Sequence, residues 1–194
     1  MDAAIKVPEF MTVAEFLDWD APPGYLWQLR GGVPQAMSPP SPTHGIIQSR
    51  VDRMIGTFLE SRSDPCRIVI TPRVIPASRS EINMLVPDLA VTCSPVQRDD
   101  KALPNPVLVI EILSPGNQSE TWMNVWAYTT IPSVREIVVF HSEKISAQML
   151  LRAADGSWPD QPAVITEGGL RLESIGFQTS IEDIYRTTWL ADSA

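Results

Sequence analysis

The chain has 194 residues, 44% hydrophobic and 20% charged, with a formal net charge of −8, which gives the balance of a soluble globular protein with one well-buried core. No apolar run approaches the roughly 18 residues of a membrane span, and Met1-Asp2-Ala3-Ala4-Ile5-Lys6 lacks the basic start and apolar core of a signal peptide, so a cytoplasmic protein without a membrane partner is expected. The acidic balance argues against unselective, charge-driven binding of nucleic acid.

Thr12-Val13-Ala14-Glu15 fits a capping box and predicts a short helix to about Trp19, with Val13, Phe16 and Leu17 inward. Ala21-Pro22-Pro23-Gly24 stops it. Tyr25 to Leu29 and Val33 to Met37 flank Arg30-Gly31-Gly32, the pattern of a hairpin around a glycine turn. Ser38-Pro39-Pro40-Ser41-Pro42-Thr43 is a stiff connector that suits a helix entry at Ser41 or Thr43. The helix that follows runs to about Ser61. Ile47, Val51, Met54, Ile55 and Phe58 recur at helical spacing, leaving Gln48, Arg50, Asp52, Arg53 and Glu60 mostly outward. His44 lies on the apolar stripe one turn ahead of Ile47. It reads either as a histidine satisfied at a helix start or as one that approaches a phosphate or a metal-bound water. Residues 44–80 hold six arginines against three acids, which reads as a solvated helix surface or as a weakly basic face.

Strands are predicted at 67–70, 73–76 and 86–93. Cys66 and Cys93 have no metal-type spacing and are expected to stand apart as reduced thiols. A fourth strand, Val107 to Leu113, is apolar throughout except at Glu111, as a strand buried on both faces would be. Ser114-Pro115-Gly116-Asn117 turns into a helix from Ser119 to about Thr130, and Val134 to Phe140 is again a strand. Strand–helix–strand over 107–140 is the signature of a parallel crossover. Ile145 to Leu151 reads as a hairpin partner, Gly168 to Leu172 as a short strand and Thr179 to Tyr185 as a terminal helical turn. No repeat or long linker divides the chain, so residues 1–194 are expected to form a single α/β domain.

Asp88 and Glu111 stand in two apolar, β-rich runs. A carboxylate there is costly unless it is paired, hydrogen-bonded or bound to a cation. A shared magnesium ion, helped by the Ile112 carbonyl, is one arrangement that keeps both, and acids at strand ends are the plain alternative. Pro87-Asp88 followed by Glu111-Ile112-Leu113 resembles the PD-(D/E)XK nuclease superfamily. The wider set resembles the Uma-type restriction endonuclease family over roughly residues 10–186: Met11 to Phe16, Met37 to His44, Val86 to Val91, Val109 to Pro115, Ala127-Tyr128, Ile131 to Glu136 and Gly169 to Leu172.

That resemblance implies a restriction-endonuclease-like mixed sheet flanked by helices, with an N-terminal helix-hairpin and a C-terminal β-rich extension. It also implies hydrolysis of DNA phosphodiesters with magnesium or manganese on Asp88, Glu111 and the Ile112 carbonyl. The family's lysine, four residues before the tyrosine on the following helix, corresponds to Asn124, and its hairpin acids correspond to Gln28 and Gly31. Asn124 and Gln28 are therefore candidate site residues of altered chemistry, with His44 and Arg73 as candidate substrate-binding groups. Arg73, Arg30 or His44 is a potential replacement for the missing cation. Three readings stand: a metal-dependent nuclease, a nuclease-fold binding or regulatory module without catalysis, and a dimerising structural protein suggested by six tryptophans. A homodimer is expected.

Overall fold

Local sequence signals set the N-terminal layer of the computed structural model, which describes residues 7–63 and 65–193. Helix α1 (Val13–Asp18) begins at the predicted capping box. The Thr12 hydroxyl accepts from the Glu15 amide at 3.3 Å, and the Glu15 carboxylate accepts from the Thr12 amide at 2.7 Å. Strands β1 (Trp27–Arg30) and β2 (Val33–Ala36) pair antiparallel across Gly31 and Gly32, whose φ angles of 59° and 83° suit glycine. With α1 they enclose an apolar cluster of their own that includes Phe16, Trp27, Leu29 and Met84.

Helix α2 (Pro42–Ser61) starts with Pro42 in its first turn, and the Ser41 hydroxyl accepts from the His44 amide. Ile47, Val51, Ile55 and Leu59 are buried as the spacing predicts. Two residues expected to face water do not. Arg50 is buried and donates to the Asp183 carbonyl, and Gln48 donates to the Asp88 carbonyl at 2.9 Å.

The main sheet has six strands in chain order. They are β3 (Arg67–Ile70), β4 (Leu89–Thr92), β5 (Pro106–Leu113), β6 (Glu136–His141), β7 (Ala147–Leu151) and β8 (Ala163–Ile165). Only β5 and β6 run parallel, joined by helix α3 (Gln118–Tyr128) as the strand–helix–strand pattern predicts. Strands β9 (Gly169–Leu172) and β10 (Phe177–Ser180) form a separate hairpin that leads into α4 (Ile181–Tyr185). The strand expected at 73–76 is reduced to one bridge between Val74 and Leu85, since the flanking Pro72 and Pro76 cannot donate to a ladder.

Side chains alternate across the sheet. Leu89, Val91, Leu108, Ile110 and Ile112 meet α2, α4 and the β9–β10 hairpin on one face. Ala90, Val109 and Val139 meet Val125 and Tyr128 of α3 on the other. This is the expected mixed sheet flanked by helices.

One expectation is corrected. Arg67 pairs with Thr92, so residues 66 and 93 form the next opposed pair, and a disulfide joins Cys66 to Cys93. The two thiols do not stand apart, and their use no longer argues for a reducing compartment. Among the described residues, no helix is long and apolar enough to cross a membrane.

Candidate functional site

The β4–β5 register brings the two acids together. Leu89 pairs with Ile110 in an antiparallel ladder, so one step further sets Asp88 opposite Glu111, with both side chains on the same face. Asp88 is held at four points. Its Oδ2 accepts from the Ile112 amide at 2.7 Å, and its Oδ1 lies 2.8 Å from His44 Nε2. Its main-chain carbonyl accepts from Gln48 and from the Thr71 amide, each at 2.9 Å.

His44 is buried in the first turn of α2, where the Ser41 cap and Pro42 fix the direction of entry. Its Nδ1 lies 3.1 Å from Ser114 Oγ. Nε2–H donates to the Asp88 carboxylate, and the serine hydroxyl meets the other ring nitrogen. A continuous Ser114–His44–Asp88 chain results.

Glu111 is only 7% exposed, and its Oε1 accepts from the Tyr128 hydroxyl at 2.8 Å. Burial, and then the neighbouring Asp88 charge, pushes the Glu111 carboxyl well above the usual carboxylate range, against the opposing Tyr128 hydrogen bond. The Tyr128 phenol is itself pushed well up, by burial first and by the Glu111 charge second. A positive charge placed between the acids favours ionised Glu111 and reverses this.

The hairpin and α3 build the opposite wall. Asn124, one turn before Tyr128, is buried, and its Oδ1 accepts from Arg30 Nη2 at 2.9 Å. Arg30 Nη1 lies 3.5 Å from Glu120 Oε1. Gln28 and Arg30 are two residues apart on β1 and so share a face. Gln28 Oε1 and Arg30 Nε are both buried without a hydrogen-bond partner.

The structure thus gathers Asp88, Glu111 and His44, and it brings Asn124 in through Arg30. Ile112 meets Asp88 through its amide. Arg73 is not brought in: it is exposed, and its guanidinium lies 6.0 Å from the centre of the Phe16 ring. Sequence reasoning assigned no site role to Tyr128, Ser114 or Gln48. The four-residue step from Asn124 to Tyr128 was the one available signal, since it puts both on one helix face.

The donor set suits a hard divalent cation. Two carboxylates and the orphaned Gln28 carbonyl are oxygen ligands of the kind magnesium and manganese take, and repulsion between the acids is what such an ion relieves. Among the described residues, no group of three or more His, Cys, Asp or Glu is placed to hold a metal.

A family model described as "Uma2: Putative restriction endonuclease" matches residues 13–182. A solved structure from Anabaena variabilis ATCC 29413, described as "a putative nuclease belonging to DUF820", superposes with a TM-score of 0.71 at 19% identity, over 91% of this chain and 98% of that one. At that identity the likeness establishes the fold. No protein with a curated description matches the chain.

Proposed function

Since this chain belongs to the Uma2 family, we propose that it is a divalent-cation-dependent DNA endonuclease of low turnover, anchoring its cation on Asp88 and Glu111. The observation that carries the reading is the pair itself. Glu111 is buried beside a second acid that raises its pKa, and perturbed acids of this kind cluster at functional sites. Bound magnesium or manganese would polarise the phosphodiester and lower the pKa of a bound water. Asp88, Glu111, the Ile112 carbonyl and Gln28 Oε1 are the groups that would hold it.

The chain's own residues orient that anchor. His44 and the Ile112 amide fix the two oxygens of Asp88, and Tyr128 fixes Glu111. Asn124, where the family carries lysine, offers neutral hydrogen bonds in place of a charge for the transition state. The site is degenerate in that respect, and slow turnover follows. The same substitution favours a second reading, a nuclease-fold module that binds DNA without cutting it. We further propose that residues 1–194 act as one domain within a homodimer, a reading supported by Met123 and Trp126, which are exposed on α3 at 54% and 42%. Light scattering tests this, and a monomer at micromolar concentration refutes it.

The deciding assay incubates single- and double-stranded DNA with the protein and magnesium or manganese, beside Asp88→Ala and Glu111→Ala. Cleavage lost in both variants supports the endonuclease. Cleavage that survives both is contamination and refutes it. Tight binding by a silent native protein establishes the second reading.

A further inference from the structure

We propose that Arg30 is the phosphate-binding cation of this site, carried on the hairpin instead of on α3, and that Asn124 is its positioning residue. The inference rests on the phosphodiester reading above and concerns which group holds the anion.

Three observations carry it. First, the Arg30 side chain is largely withdrawn from water, at 18% exposure, yet its Nε–H points at no acceptor. A buried donor without a partner is costly, and an anionic oxygen is the partner a guanidinium fits best. Gln28, on the same strand face, presents an orphaned acceptor beside this orphaned donor. That combination suits an anion held at Arg30 and a cation, or a water bound to one, at Gln28.

Second, the other contacts of Arg30 hold it without consuming its charge. Asn124 takes Nη2 with a neutral carbonyl oxygen at 2.9 Å. Glu120 faces Nη1 at 3.5 Å but is 55% exposed, so it turns to water at little cost when an anion arrives. Third, Asn124 and Arg30 make sense as one exchange. A lysine at 124 would set a second cation against the guanidinium that now hydrogen-bonds there. Moving the charge to the hairpin requires a neutral acceptor on the helix, and asparagine is one. Asn124 lies one turn before Tyr128, whose hydroxyl donates to Glu111 Oε1, so its hydrogen bond holds the guanidinium on the helix face that meets the acid pair.

The test measures binding without turnover, in chelator, with a fluorescent double-stranded oligonucleotide across a salt series. Arg30→Met is expected to bind about 10-fold more weakly than the native protein, and to lower the slope of log K against log salt by about 0.9, one phosphate contact. Arg30→Lys should keep the slope, and Arg30→Met with Asn124→Lys should recover it. Asn124→Ala should weaken binding and leave the slope unchanged, as expected of a residue that orients a charge and carries none. Inorganic phosphate should move the Arg30 Nε–H resonance of nitrogen-15-labelled native protein.

Native-like affinity and slope in Arg30→Met, with the oligonucleotide still bound, overturns the inference and leaves the nuclease reading standing. A phosphate-induced Nε–H shift in a protein that ignores the oligonucleotide keeps the anion site and overturns the DNA reading. No shift and no oligonucleotide binding overturns both. Arg30→Lys and Asn124→Ala keep these outcomes readable should Arg30→Met fail to fold.

Discussion

Tyr128→Phe isolates the hydrogen bond that steadies the buried acid. The phenol is fully buried and donates to Glu111 Oε1 at 2.8 Å. Phenylalanine keeps the ring among Val109 and Val125, so little packing is lost. A hydrogen bond to a charged group contributes about 1.5–3 kcal/mol, so a loss on the order of 2 kcal/mol is expected where Glu111 is ionised.

The pH dependence follows from the direction of the Glu111 shift. Burial and Asp88 raise its pKa, and the Tyr128 bond is the largest effect that opposes them. A raised folded pKa contributes stability fully present below the unfolded glutamate value, about 4.3, and lost as pH rises through the folded value. Removing the phenol moves that folded value higher still, so the variant should lose more stability above that value, where Glu111 is ionised, than near about pH 4. Urea titrations at both, repeated in a Glu111→Gln background as a double-mutant cycle, measure the difference. Equal losses at the two pH values, or a loss under about 0.5 kcal/mol at both, would refute the reasoning, since the latter is what an uninvolved surface position gives.

Reducing the Cys66–Cys93 bond frees a 27-residue separation and should cost about 3.5 kcal/mol by chain entropy. Urea midpoints with and without reductant read this, and identical midpoints would sink the estimate. His44→Ala removes the group that orients Asp88 Oδ1 and should weaken manganese affinity about 10- to 100-fold by calorimetry; unchanged affinity would mean that the Ile112 amide suffices. At Gly32, φ is +83° and an added Cβ would lie 2.1 Å from Phe10 Cε2. Gly32→Ala should therefore destabilise by about 1–2 kcal/mol in thermal melts, and a neutral result would contradict a rigid turn.

What was legible in the sequence was either local or strongly periodic. The Thr12–Glu15 box, the entry of α2 at Ser41 and Pro42 and the apolar run of β5, interrupted only by Glu111, each declare themselves within a few residues. Asp88 and Glu111 were legible only as two acids in apolar, β-rich runs and in the family resemblance those runs carry, and their adjacency rests on the β4–β5 register. The hidden features join distant parts of the chain. Arg30 and Asn124 are 94 residues apart, and no pattern on either element reveals the other. Cys66 meets Cys93 only through the β3–β4 register. Arg73 was expected to open the strand at 73–76, but Pro72 and Pro76 leave it in a loop where it covers Phe16. Arg50 looked solvated on helical periodicity alone and is instead roofed by α4, an element more than 100 residues away in the chain.

The β1–β2 hairpin meets the segment ahead of β4 through two reciprocal main-chain bonds between Leu29 and Met84, 2.8 and 2.9 Å long, and a third from the Gly32 amide to the Ile82 carbonyl at 2.8 Å, and it packs in a cluster of its own. Its apolar packing is therefore separate from that of the two larger clusters. Its charged side chain at Arg30 is matched to the facing helix by the bond to Asn124. Such a hairpin acts as a faceplate: the acid pair stays with the frame, and the charge presented opposite it is set by the hairpin and α3 together.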